Sequence, residues 1–160
     1  MREIQLTQGK IALVDDEDFE RVSSLKWRAT CNKHVWYAIT TLPDRKVAYM
    51  HRFILGITPR IDHVDSDGLN NRRSNLRPAT TRQNAQNKRK GVYKRGAFSQ
   101  YKGVHYRKDR GTWVAMIYHE GKHIYIGCSR DEKQSALMYD KKAKELFGEF
   151  ACPNFTEESQ

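Results

Sequence analysis

The stretch Ile61-Asp62-His63-Val64-Asp65-Ser66-Asp67-Gly68, followed by Asn70-Asn71, Asn75, Arg77 and Asn84, holds the side chains that phosphodiester hydrolysis requires. An imidazole near its ordinary pKa is neutral at pH 7 and can take a proton from water. A hard divalent cation held by oxygen ligands neutralises the charge that develops on the phosphate and the departing oxygen. An asparagine ligand is neutral, so it leaves such an ion more electrophilic than a second carboxylate would. Neighbouring strand residues point to opposite faces, so Asp62 and His63 can serve one site only if the strand ends there. The loop 64–68 provides that ending. Asp65 and Asp67 could also ligate a cation, but before Gly68 they read as turn residues. Arg72, Arg73 and Arg77 beside such a site read as phosphate contacts.

The elements around this segment are short. Residues 1–50 read as strands at Ile4–Leu6, Lys10–Val14, Trp27–Ala29 and Val35–Thr40, where Val35, Tyr37 and Ile39 alternate with Trp36, Ala38 and Thr40. The run Asp15-Asp16-Glu17-Asp18 reads as a solvated turn or a helix start. Residues 51–90 mix a strand-like stretch, an Asp/Asn/Gly loop and a short helix. Residues 91–99 read as a basic linker and 156–160 as a tail.

Residues 100–155 alternate as three strands, Gly103–Arg107, Thr112–Tyr118 and Lys122–Cys128. Ser129-x-x-Glu132 then reads as a capping box opening a helix to about Phe147, with Gly148 behind it. Ala136, Tyr139, Ala143, Leu146 and Phe147 form one helical face, to be covered by Trp113, Ala115, Ile117, Ile124 and Ile126. The other sheet face carries His105, Arg107, Thr112, Val114, Met116, Tyr118, His123 and Tyr125. That mixture of cations, hydrogen-bonding groups and aromatics suits a sheet that enters a DNA groove.

Composition narrows the partner. The 160 residues carry a net charge of +10, with 17 basic and 5 acidic side chains concentrated in 51–130. A basic block of this kind points to a polyanion. Mean hydropathy is −0.83, and a run of about 18 apolar residues, as a membrane span needs, is not found. The N-terminal stretch has no apolar core of a secretory signal. Cys31, Cys128 and Cys152 form no CxxC, which argues against a zinc ribbon or a disulfide scaffold and for a reducing interior.

His51-Arg52, Asp62-His63, Asn70-Asn71, Asn75-Leu76-Arg77 and Thr81-x-x-Asn84, with His63 twelve residues before Asn75 and twenty-one before Asn84, together resemble the HNH homing endonucleases of phages and mobile introns. The resemblance covers about 40 residues here and extends to the stretch before them. It implies a ββα-metal fold around one divalent ion, Mg2+ or Mn2+. It implies Asp62 and Asn84 as metal ligands and His63 as the general base, these three forming the catalytic set. Asn75 is then the structural asparagine that braces the loop and orients the histidine. His51 gives structural support, and Arg52 helps position the phosphate.

Residues 100–155 are similar to the plant Apetala-two (ethylene-response-factor) DNA-binding domain, through Tyr101-Lys102-Gly103-Val104, Gly111-x-Trp113, Ile126-Gly127, Ala136-x-x-Tyr139-Asp140 and Asn154-Phe155. That resemblance implies DNA contacts at Lys102, His105, Arg107, Tyr118, His123 and Tyr125. His105 and Tyr118 stand where plant members usually carry Arg, and Met116 where they carry an acid, so the plant recognition sequence does not transfer.

The expected fold class is α+β: an N-terminal β-rich segment (1–50), an HNH ββα-metal nuclease (51–90), the linker, and a three-stranded antiparallel sheet packed on one helix (100–155). The expected function is metal-dependent cutting or nicking of double-stranded DNA by a monomer or a transient dimer, with no membrane and no small-molecule substrate. A phage-encoded chain would act in a bacterial host cytoplasm. The competing expectations are a transcription regulator on an inactive nuclease scaffold, and an RNA-binding or RNA-cutting protein.

Overall fold

The computed structural model describes residues 1–32, 34–56, 60–88 and 99–155. The chain divides into two compact units, 1–84 and 85–160. Nearly all of the linker expected at 91–99, and the whole tail at 156–160, lie outside the described residues.

The first unit opens with a hairpin of β1 (Arg2–Gln5) and β2 (Ile11–Val14). The acidic run then begins a helix, α1 (Asp16–Ser23), with Asp15 at its N-cap and three acids in its first turn, where the helix dipole favours them. A three-stranded antiparallel sheet follows, built from β3 (Arg28–Asn32), β4 (Val35–Thr41) and β5 (Val47–Tyr49) in the order β3-β4-β5. The helix α2 (Met50–Leu55) follows β5 directly and ends at Gly56, whose φ of 63° is a left-handed cap that glycine adopts without strain. A two-stranded ribbon, β6 (Ile61–His63) with β7 (Leu76–Pro78), leads to the short helix α3 (Thr81–Gln86).

One core holds this unit together. Ile4, Ala12, Val14, Val22, Trp27, Ala29 and Ala38 are buried with Met50, Ile54, Ile61 and Leu76. Buried side chains from both sides of residue 50 therefore share a single core, and the expected boundary at residue 50 falls inside the unit 1–84. Trp27 packs edge-on against Phe53, ring centroids 5.6 Å apart, and its indole N–H donates to the Val22 carbonyl at 2.8 Å. A polar clasp adds to the core. Asp18, buried, accepts from Arg21 at 2.9 Å and from Arg73 at 2.7 and 2.9 Å.

The second unit is a meander of β8 (Val104–Arg107), β9 (Thr112–His119) and β10 (Lys122–Ser129) in the order β10-β9-β8, with α4 (Glu132–Phe147) packed on one face. Ala115 and Ile117 meet Tyr139, Ala143 and Phe147 in its core, with Ile124, Ile126 and Leu146 half-buried around them. The helix cap differs from the capping box expected at Ser129. Asp131 is the N-cap, accepting from the Lys133 N–H at 2.8 Å, while Ser129 Oγ accepts from the Asp131 N–H. Asp131 directly precedes the first helical residue, so its carboxylate reaches the first orphan donors of the helix, while Ser129 lies two residues further back. The register of β10 slips between Tyr125 and Gly127, a bulge that the alternating pattern conceals.

The segment after α4 is tied back. Asp140 accepts from the Asn154 N–H and Nδ2 at 2.7 and 2.8 Å and from the Phe155 N–H at 3.0 Å. Gly103, with φ of 74°, lies under the Tyr139 ring, and a Cβ there would stand 2.0 Å from Tyr139 Cδ2. No helix among the described residues is long and apolar enough to cross a membrane.

Candidate active site

The β6–β7 ladder pairs Asp62 with Arg77 and His63 with Leu76, and the Arg60–Ala79 hydrogen bond (2.8 Å) extends it. Cross-strand partners share a face, so Arg77 meets Asp62 directly. Its Nε and Nη2 both donate to Asp62 Oδ2, at 3.0 and 2.8 Å. The strand ends at His63, because the Ser66 N–H turns back to the His63 carbonyl at 2.9 Å. Asp62 is 3% and His63 7% exposed.

His63 lies in a wall of rings. His51 meets it at a centroid distance of 5.0 Å, and Tyr37 lies 6.0 Å from each imidazole. Tyr49 lies 5.4 Å from His51. Burial pushes His51 down to about 3, helped by the neighbouring charges of His63 and Arg52. Burial also holds His63 below the ordinary histidine value, against the opposing influence of the Asn71 side chain and of Asp65, Asp62 and Asp67. Both imidazoles are therefore neutral at pH 7. Burial, with Tyr49 and Asp62 nearby, raises Tyr37 above the usual phenol value.

The loop 64–70 is locked from two sides. Asn75 Oδ1 accepts from the Asp65 N–H at 3.0 Å, and its Nδ2 donates to Asp65 Oδ1 at 2.9 Å and to the Asn70 carbonyl at 2.7 Å. Asp65 and Asp67 bond the N–H groups two residues on, at 2.8 and 3.0 Å, as turn-forming aspartates do. Asp65 Oδ2 also accepts from Asn70 Nδ2 at 2.7 Å. On the other side Gly68 presses onto β4, where a Cβ would stand 2.4 Å from the Trp36 carbonyl oxygen. The loop is pinned again at its end, by Leu13 N–H to Leu69 O (2.9 Å) and Asn71 N–H to Leu13 O (2.8 Å).

Asn84 lies on α3, half-buried. A reciprocal pair sets the start of that helix, Thr80 N–H to Gln83 Oε1 at 2.8 Å and Gln83 N–H to Thr80 Oγ1 at 3.2 Å. This is a Thr-x-x-Gln capping box that the sequence displays and that places Asn84 four residues into the element. Among the described residues, no three His, Cys, Asp or Glu side chains gather into a metal site. A site of one carboxylate and one carboxamide does not require such a group.

The basic side chains divide. Arg52 is exposed, and Arg72 is half-buried with its Nε on Asn70 Oδ1 at 2.9 Å. Arg73, expected on phosphate, has its guanidinium engaged by Asp18 and by Glu17 at 2.7 Å. Arg77 is engaged by Asp62. Lys102 is half-buried, with Nζ donating to the Gln86 carbonyl at 2.7 Å, and burial lowers its amine below the usual lysine value against the influence of Cys152 and Asp140. It belongs to the packing of the second unit and is not an exposed cation. On the uncovered sheet face Tyr118 and Tyr125 are each 60% exposed, His123 lies 5.0 Å from Tyr118, and Arg107 is exposed beside Asp109. His105 is half-buried, and Val114, flanked in register by His105 and Cys128, is buried.

Tyr37, Tyr49 and Asn71 complete the histidine's surroundings, and sequence reasoning gave them no role there. Asn71 was visible as the second residue of the Asn-Asn pair, while the tyrosines became relevant only through strand pairing, with Ile39 opposite Tyr49.

The chain is 36% identical over 148 residues to an uncharacterized HNH endonuclease of Acanthamoeba polyphaga mimivirus, across 85% of this chain and 74% of that protein. It therefore belongs to the HNH endonuclease family. It is also 32% identical over 91 residues to Protein 3.8 of Escherichia phage T7, across 57% of this chain and 72% of that protein. No family model matches the chain, and no solved structure matches it.

Proposed function

We propose that this protein is a site-directed, divalent-metal-dependent endonuclease of the homing type that nicks double-stranded DNA. In this reading the hydrolysis belongs to residues 51–90, and an Apetala-two-like sheet in 100–155 holds the duplex. The observation that carries it is the buried Asp62–His63 pair at a strand end, within a braced loop, in a chain of the HNH family. The β6–β7–α3 succession supports a ββα-metal arrangement.

The donor set fits a hard cation: a buried carboxylate, paired with Arg77, and a carboxamide, with no thiolate. Asp62 and Asn84 would hold one Mg2+ or Mn2+. When bound, that ion supplies charge neutralisation at the phosphate and at the departing oxygen. His63, kept neutral by burial, accepts the proton of the attacking water. Arg52, exposed, and Arg72, half-buried, are the cations that this reading assigns to phosphate. One such site hydrolyses one strand, so a monomer nicks, and a double-strand break needs a transient dimer or a second event. With few stacking aromatics, the uncovered sheet face that carries Tyr118, Tyr125, His123 and Arg107 favours a duplex groove over splayed single strands.

Nicking of supercoiled plasmid with Mg2+ or Mn2+ by the wild type, and its loss in His63→Ala, is the expected result. Equal behaviour of the two overturns the enzyme reading in favour of a DNA-binding regulator on an inactive scaffold.

A further inference from the structure

The side chain that holds the base is open to a sharper assignment. Asn75 has its amide fully engaged with Asp65 and Asn70, so it braces the loop. Asn71 differs. It is 0% exposed, its backbone N–H is fixed to Leu13, and its Nδ2 donates to the Leu69 carbonyl at 3.0 Å. That bond sets which end of the amide is which and turns Oδ1 away from Leu69. Oδ1 is itself buried and receives no donor at full hydrogen-bonding geometry. The Asn71 side chain bears on the His63 imidazole and favours its protonated form, as an acceptor facing a ring N–H does. A buried acceptor is costly to leave unsatisfied, so it selects the tautomer that offers it an N–H.

We propose that Asn71 is the positioning residue that fixes the tautomer of His63. Oδ1 accepts from the imidazole nitrogen that faces it, and the other nitrogen keeps its lone pair. The proton of water then has one defined destination, and a bond at one ring nitrogen dictates the state of the other. The catalytic consequence rests on His63 being the base; the tautomer itself does not.

The test uses the full-length chain, 15N-labelled and without metal, at about pH 8, where an ordinary histidine is neutral. Long-range proton–nitrogen spectra, assigned by the signal lost in His63→Ala, are expected to show one protonated and one unprotonated ring nitrogen. An NOE should join the ring N–H to the Asn71 side-chain amide. In Asn71→Ala the two tautomers should mix, and kcat for plasmid nicking should fall about 10- to 100-fold at similar KM, the usual effect of removing an orienting partner. A tautomeric mixture in the wild type, a missing NOE, or an unchanged tautomer in Asn71→Ala overturns the assignment. If Asn71→Ala does not fold, the wild-type NOE decides. If His63→Ala nicks like the wild type, the endonuclease reading fails while the tautomer result stands.

Discussion

The imidazoles of His51 and His63 meet edge to face, their planes at 89° and their centroids 5.0 Å apart. Each is buried, so a proton on either ring would be desolvated and close to the other. His51, held at about 3, lies below the value of about 6.5 that it regains on unfolding. As pH falls, the unfolded chain takes up the proton first. Stability is therefore unaffected above about pH 6.5 and is lost between there and about 3, at roughly 1 kcal/mol per pH unit for this one group. His51→Phe should lose less stability than wild type between pH 7.5 and pH 5 in urea titrations. An identical pH slope in both proteins would refute this account.

Asp18 has the opposite chemistry. Burial opposes its charge, but the hydrogen bonds from Arg73 and Arg21 prevail and hold its carboxyl below the ordinary value. Its contribution is fully present above about pH 4 and disappears as pH falls through the lower folded value. Arg73→Ala should cost about 1.5–3 kcal/mol at pH 7. The gap from wild type should narrow in acid, and a gap independent of pH would show that the clasp is not ionic.

Gly68 has no room for a methyl group. A Cβ would stand 2.6 Å from the Tyr37 ring as well as on the Trp36 carbonyl. Gly68→Ala should destabilise by about 1–3 kcal/mol, as overpacked positions do, and should slow nicking by moving the loop that ends at Asn70. Urea unfolding and plasmid nicking measured together test it, and unchanged stability would mean that the loop yields.

In the second unit, Asp140 gathers three N–H donors from Asn154 and Phe155. Asp140→Ala should cost about 2–4 kcal/mol, because charge-assisted bonds are lost and their donors are left behind. Hydrogen exchange at Phe155 should then approach that of an unprotected amide, and retained protection there would rule out the clasp as its source.

The uncovered sheet face separates charge from contact. Arg107→Ala should weaken duplex DNA binding and lower the salt slope by about 1, the effect of one phosphate contact. Tyr125→Ala should weaken binding with the slope unchanged. Binding isotherms at several salt concentrations distinguish the two, and no effect from either substitution would remove this face from the interface.

The second unit was largely readable from sequence because its signals are local. Alternation in β9 and the stripe Ala136, Tyr139, Ala143 and Phe147 each report burial directly. The Ile126 bulge and the Asp131 cap were not readable, since both depend on one residue's register. In the first unit four of the strands of 1–50 were legible, but β5 and α2 were not, because three residues of strand and a six-residue helix are too short for a periodic signal. The partners of Arg73 and Arg77 were also hidden: Asp18 lies 55 residues from Arg73, and a ladder register brings Asp62 to Arg77. Charge shows in a sequence; what it is paired with emerges only on folding.

The parallel bridge between Leu13 and Asn70 fastens the first hairpin to the loop that follows the histidine. A fragment trimmed to the recognisable motif at 51–90 would lose this buttress and nine of the twelve buried residues of its core. Residues 1–50 are thus inherited with the motif as parts of one compact unit. Recombination that joins a foreign leader at residue 50 should yield an inert hybrid.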